Sequence, residues 1–301
     1  MNKKAASNIG CFTVSSQPLP LYLRNKYCYN VVTMIESSQF SLSKWYLDCT
    51  ADNGDVLVGY AASLRWRMLS LEYSSILLRR STGEIQTKST LHNGKTPVST
   101  DGSVHWQCAA LGLRGTWIAK EQPITRRVFE ASKTPLLWSC VQPRAWADIT
   151  VDGVGTFQGL GYVDHLDLST KPWRLPLEEL RWGRYLSEDD SIIWMDFKGS
   201  APETIVFHNG LLCKGAQVSD QDIVIGEEGI TLGFEDTCVL REGALVSTAL
   251  SVIPGVSKFL PARMLQTYEC KWKSRGVLRN AKSTLGTGWT IHEVVRWPSS
   301  K

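Results

Sequence analysis

A chain of 301 residues with 43 % hydrophobic and 21 % charged residues can build one large β domain or two packed domains, and is too apolar for global disorder. Its formal net charge of +4 is spread along the sequence without a Lys/Arg cluster, which argues against a nucleic-acid or anionic-membrane footprint. Aromatics reach 10 %, twelve of them Trp, enough to fill a core and to line a pocket for an apolar ligand.

From the start of the chain, Met1-Asn2-Lys3-Lys4 resembles the opening of a signal peptide, but Ala5 to Ser16 is broken by Ser, Asn and Gly and lacks an apolar core. No stretch approaches the roughly 18–20 apolar residues that span a bilayer, so no integral membrane segment is predicted. The eight cysteines, at 11, 28, 49, 108, 140, 213, 238 and 270, form no Cys-x-x-Cys pair and have no histidine at zinc-like spacing. Scattered in this way they fit reduced thiols of a cytoplasmic protein better than a secreted disulfide framework.

Beyond the N-terminus the periodicity is that of strands. Runs rich in Val, Ile, Leu, Tyr and Trp are separated by Ala51-Asp52-Asn53-Gly54, Ser81-Thr82-Gly83, His92-Asn93-Gly94, Ser187-Glu188-Asp189-Asp190 and His208-Asn209-Gly210. Asn-Gly pairs supply the positive φ of tight hairpins, and turns about every 8–12 residues predict an antiparallel sandwich or barrel. The one helix candidate lies somewhere in 251–266, where Pro254, Gly255 and Pro261 weaken it. Trp45 to Tyr60 can be laid on Trp182 to Phe197 without a gap, matching Trp45 to Trp182 and Asp52 to Asp189. If this reflects duplication, two similar β domains (1–143 and 144–301) join near Gln142-Pro143-Arg144.

Candidate chemistry concentrates in the second half, on strand-like segments whose faces alternate. In 159–167, Tyr162 and Asp164 share one face while Val163, His165 and Asp167 take the other. Tyr beside Asp is a plausible proton-delivering pair, and His165 beside Asp167 is either catalytic or a hydrogen-bonded core histidine. Gly159 and Gly161 within the strand signal a bulge or a close backbone approach. Trp182 and Arg184 share a face, and an inward Arg184 needs a carboxylate such as Asp164, Asp196 or Glu293. That pairing would lower the acid's pKa and spoil it as a proton donor. In 192–197, Ile192, Trp194 and Asp196 lie opposite Ile193, Met195 and Phe197, with Asp196 either in the pocket or entering the next turn. In 289–297, Trp289, Ile291, Glu293, Val295 and Trp297 form one row, leaving Glu293 a lone carboxylate that is either functional or paired with an Arg from a neighbouring strand. Phosphate loops, nucleophile elbows, His-Glu-x-x-His and dinucleotide fingerprints are absent, and the five histidines are far apart, so no cofactor and no metal is predicted.

Gly-Leu-Gly-Tyr-Val-Asp-His at 159–165, Arg-Trp-Gly-Arg-Tyr at 181–185 and Ile-Trp-Met-Asp at 193–196 resemble the carotenoid 1,2-hydratase (hydroxyneurosporene synthase) family, within a wider lipocalin-like group of natural-product cyclases. Trp-Thr-Ile-His-Glu-Val-Val-Arg-Trp at 289–297 is similar to that family's last strand. The resemblance is best over 155–200. Leu166-Asp167-Leu168 stands where the family commonly carries Asn-x-Gly. It implies an all-β fold of two consecutive lipocalin-like antiparallel β-barrels. It also implies acid chemistry: a carboxylic acid protonates an isoprenoid alkene, and water or an internal nucleophile captures the cation. By resemblance Asp164, Asp196, Tyr162, His165 and Glu293 are the catalytic candidates, with Trp182, Arg184, Trp194 and Trp289 as substrate contacts. The expected partner is a hydrophobic small molecule, and nothing in the sequence specifies an oligomeric state. Two alternatives remain at this point: a pericyclase-type cyclase that works by shape and polarisation, and a non-catalytic lipid or pigment carrier.

Overall fold

The computed structural model describes residues 40–66, 68–91, 94–129, 136–226, 229–248, 258 and 260–298. Cys11, Cys28, His92, Asn93 and the first part of the 251–266 helix candidate fall outside these residues. The alternating runs become strands, and four of the predicted turn clusters become hairpins, while the strands on either side of His92-Asn93-Gly94 stand at opposite ends of one sheet; Gly54 and Gly83 turn at φ +82° and +99°, and Asn209-Gly210 at +49° and +77°.

The first strands are β1 (Phe40–Ala51), β2 (Val56–Trp66), β3 (Leu69–Arg79), β4 (Ile85–Leu91), β5 (Val98–Thr100), β6 (Ser103–Cys108), β7 (Leu113–Ala119), β8 (Ile124–Val128), β9 (Leu136–Val151) and β10 (Gly155–Leu168). They form an antiparallel sheet in the order β4-β3-β2-β1-β10-β9-β7-β6-β5, with β8 also paired to β9. The second group is β11 (Glu179–Leu186), β12 (Ser191–Lys198), β13 (Glu203–His208), β14 (Leu211–Cys213), β15 (Gln217–Val218), β16 (Asp222–Ile225), β17 (Ile230–Ala244), β18 (Tyr268–Arg279) and β19 (Thr284–Arg296). Its order is β14-β13-β12-β11-β19-β18-β17-β16-β15. A short helix, α1 (Ala262–Leu265), follows Pro261.

The two orders follow one plan, in which a meander leaves from β1 or β11 and the last long strand, β10 or β19, returns beside it. The fold is all-β, two consecutive lipocalin-like antiparallel β-barrels. The chain passes from one sheet to the other in 169–178, so Gln142-Pro143-Arg144 lie inside β9 and not at a junction between sheets.

Three apolar layers hold this together. Leu47, Trp106, Trp117 and Ile149 belong to a core wrapped by the first sheet. Tyr185, Trp194, Val206 and Leu232 belong to one wrapped by the second. A third layer, with Tyr46, Tyr162, Trp182 and Ile291, fills the seam where the sheets face each other. The seam strands are therefore buried on both faces, and Ile192 to Phe197 of β12 are all 7 % exposed or less. A fully buried side chain of this size contributes about 1.5–3 kcal/mol, so the seam is a substantial part of the fold's stability.

The gapless alignment of Trp45 with Trp182 pairs the right hairpins one residue out of step. Trp45 packs against the first core, whereas Trp182 lies in the seam. A one-residue slip exchanges the faces of a strand, and the turns differ in length: Thr50 pairs with Val56 in the first hairpin and Leu186 with Ser191 in the second.

Candidate active site between the two sheets

The expected chamber does not lie within the second half. It opens in the seam, as an apolar cavity of ≈110 Å³ whose walls include Tyr46, Trp138 and Asp164 of the first sheet and Trp182, Met195 and Glu293 of the second. Each sheet wraps its own packed core, and in this seam cavity polar groups of the two sheets converge.

Period-two alternation places the rows as expected. On β10, Tyr162 and Asp164 face the seam; on β11, Trp182 and Arg184 do; on β19, Trp289, Ile291 and Glu293 do. Gly159 and Gly161 allow β10 to press against β1, because a Cβ on either would stand 2.3 Å from the Thr50 carbonyl oxygen or 2.4 Å from that of Asp48.

The two carboxylates in the cavity occupy equivalent places in the two halves. Asp164 is the cross-strand partner of Tyr46 on β1, and Glu293 is that of Trp182 on β11. Tyr46 and Trp182 touch across the seam, ring centroids 4.7 Å apart. Each acid's other neighbour then decides its protonation. Asp164 stands beside Cys140 of β9, Glu293 beside Lys271 of β18.

Burial pushes the Asp164 carboxyl up, against hydrogen bonds from Trp138 Nε1 and Tyr162 Oη, and it settles at about 6. Both donors bind Oδ2, at 3.1 and 3.0 Å, so Oδ1 is the oxygen left to carry a proton. Burial also pushes Glu293 up, but the Lys271 ammonium at 2.5 Å, helped by Lys44, outweighs it and holds this carboxyl below the usual glutamate value. The two acids of the cavity are thus pushed apart, Asp164 up to about 6 and Glu293 below its usual value. The partner of Glu293 is Lys271, in place of the expected Arg.

Lys271 is 1 % exposed and lies 5.1 Å from the ring centroids of both Tyr46 and Trp182. Those rings already hold one cation, at about 0.5–2 kcal/mol each. Exchanging Lys271 for Met should let Glu293 rise above the ordinary carboxylate range. Turnover is expected to fall about 10²-fold near neutrality, with the acid limb of the pH–rate profile displaced upward. Lys271→Arg should retain the limb; an unmoved limb in Lys271→Met would separate this pair from the chemistry.

Arg184 is paired with neither Asp164, Asp196 nor Glu293. Its Nε and Nη2 bind Asp48 of β1 at 3.0 and 2.8 Å, Nη2 also donates to Thr50 Oγ1, and Nη1 donates to the Trp289 carbonyl. Tyr46 Oη donates to Asp48 Oδ2 at 3.0 Å. Both charged side chains are fully buried, so the pair ties the sheets together and leaves Asp164 free of a guanidinium.

Three candidates lie elsewhere. Asp196 and Trp194 are on the opposite face of β12: Trp194 stacks on Phe234 in the second core, and Asp196 accepts a hydrogen bond from Thr204 and lies 3.9 Å from Lys198. His165 turns toward the first barrel, 2.7 Å from Ser43 Oγ and with its ring centroid 4.5 Å from that of Trp45, tilted by 37°. Trp289 and Arg184 line a second cavity farther along the seam. Sequence reasoning missed Tyr46, Asp48, Trp138 and Lys271. A signal was present in the alternating polar row Lys44, Tyr46, Asp48, Thr50, interleaved with Trp45, Leu47 and Cys49, and in Glu269, Lys271, Lys273, interleaved with Cys270 and Trp272. Among the described residues no group of three His, Cys, Asp or Glu is placed to hold a metal, and no helix is long and apolar enough to cross a membrane.

No family model and no curated sequence matches this chain. Solved structures do. CghA is 11 % identical with a TM-score of 0.51, over 87 % of this chain and 90 % of its own. Its complex with Sch210972 aligns at 0.50 with 10 % identity over the same shares. The AttH-type protein NE1406 of Nitrosomonas europaea aligns at 0.52, 10 % identical, over 85 % of this chain and 91 % of its own. The likeness is one of fold.

Proposed function

We propose that this protein adds a proton to an alkene of a hydrophobic isoprenoid or polyene and directs the resulting cation to hydration or cyclisation. The observation that carries this reading is the pair of equivalent carboxylates, Asp164 and Glu293, which share one aromatic cavity and whose pKa values are pushed in opposite directions by their neighbours. That a protein of the same fold has been crystallised with a small molecule, CghA with Sch210972, agrees with a ligand-binding role.

In the proposed reaction Asp164 Oδ1–H gives its proton to the less substituted alkene carbon, and the π pair forms the new C–H bond. The cation left on the neighbouring carbon is opposite Glu293 and beside the Trp138 ring, both of which favour positive charge. Water, or a nucleophile in the same molecule, forms the second bond. Glu293 takes the proton this releases, and exchange with solvent returns the proton to Asp164. Hydration thus adds one water, and cyclisation leaves composition unchanged. An apolar cavity of about 150 Å³ accepts benzene, so ≈110 Å³ suits one branched alkene terminus rather than a whole polyene.

The pH dependence follows from the two carboxyl groups. A general acid acts while protonated, so turnover should fall as pH rises through about 6, the Asp164 value. On the acid side it should fall where Glu293 takes up its proton, below the ordinary 4.5. Initial rates between pH 3 and 9 on a prenylated or polyene alkene check both limbs. A rate flat through pH 6 would discard Asp164 as the acid and favour the pericyclic reading, in which no proton moves.

A further inference from the structure

The seam holds a second cavity, larger than the first and sharing no lining residue with it. It measures ≈460 Å³, within the range of small-molecule sites, and lies past the buried Asp48–Arg184 pair, toward the β1–β2 and β11–β12 turns. Trp146 and Leu160 of the first sheet and Leu186 and Trp289 of the second give it apolar walls. Trp146 is 41 % exposed and offers its indole to the cavity.

Two of its cations are left uncommitted by the fold. Lys120 and Arg275 line the cavity from opposite sheets, are exposed, and make no side-chain hydrogen bond or ion pair among the described residues. Arg184 also lines it but is neutralised by Asp48. Asp52 and Glu188 line the cavity as well, and the buried Lys273 ammonium, bound to the Gly54 carbonyl, lies 4.3 Å from the Trp289 ring centroid behind the wall.

We propose that this cavity binds a carboxylate attached to a planar apolar body. The carboxylate lies between Lys120 and Arg275, and the body lies against Trp146 and Trp289. Two cations offset the cost of taking a carboxylate out of water, and an indole face covers an aromatic or polyene plane without loss of hydrogen bonds. The site is distinct from the acid cavity, and occupying it requires no chemistry there.

Isothermal titration calorimetry with two probes of one ring system tests this: 2-naphthoate, and 2-naphthalenemethanol, which lacks the charge. The unaltered protein is expected to bind 2-naphthoate at least tenfold more tightly than the alcohol. In Lys120→Ala/Arg275→Ala the two should come within about twofold, by loss of the naphthoate affinity, with an unchanged melting temperature. Asp164→Asn should bind both as the unaltered protein does. If the double variant folds poorly, Lys120→Gln and Arg275→Gln singly should each weaken naphthoate at least threefold. Equal affinity for the two probes, no binding of naphthoate, or a loss in Asp164→Asn with none in the cation variants would each overturn the proposal.

Discussion

Asp164→Asn is expected to lower turnover by about 10²–10⁴-fold while leaving the fold intact, the range by which a positioned general acid accelerates a reaction. The substitution preserves shape, and an amide oxygen can still accept from Trp138 Nε1 and Tyr162 Oη, which now hold Oδ2. Only the transferable proton is removed. Its thermodynamic companion makes the test sharper. The folded state raises Asp164 from 3.8 to about 6, so the stability its neutral form contributes is complete below 3.8 and lost as pH rises through about 6. Over that interval the loss amounts to about 3 kcal/mol. Asparagine does not ionise, so Asp164→Asn should be the more stable protein at pH 8 and close to the unaltered one at pH 4. Denaturant melts at the two pH values read this directly. Asp196→Asn, on the far face of β12, should change turnover little. Full turnover in Asp164→Asn would remove the acid mechanism and leave binding by shape.

Removing Arg184 should have the largest effect on stability. Arg184→Met strands the Asp48 carboxylate in the seam with Tyr46 as its remaining side-chain donor, and takes the donor from Thr50 Oγ1 and the Trp289 carbonyl. Breaking a buried pair from one side costs about 3–5 kcal/mol. For a chain of this size that lowers Tm by about 6–20 °C. The double variant Asp48→Leu/Arg184→Met should recover much of the loss, because an apolar pair of similar volume needs no desolvation. A double-mutant cycle then isolates the coupling between β1 and β11. Single variants within 1 kcal/mol of the unaltered protein would show that the pair does not lock the sheets.

These two experiments separate roles that the sequence presents as one problem. Arg184 was expected to need a carboxylate from the second half, which would have cost the site its acid. The carboxylate comes instead from Asp48, 136 residues away, and burial pushes Asp164 up to about 6, with Cys140 and not a cation beside it on β9. Glu293, at the equivalent place, meets Lys271 and gives up its proton. No local pattern distinguishes these outcomes, since each depends on which residue a distant strand places alongside.

The sequence by itself determined the strands, their hairpin turns and the rows Tyr162–Asp164, Trp182–Arg184 and Trp289–Ile291–Glu293, because alternation and turn chemistry are local properties of the backbone. It did not determine which face of a doubly buried strand looks into a barrel and which into the seam. The period of two is the same on both faces, and β12 is apolar on both. Only the packing of sheet on sheet decided that His165, Trp194 and Asp196 turn away, that Trp138 and Lys271 arrive, and that the two carboxylates titrate apart.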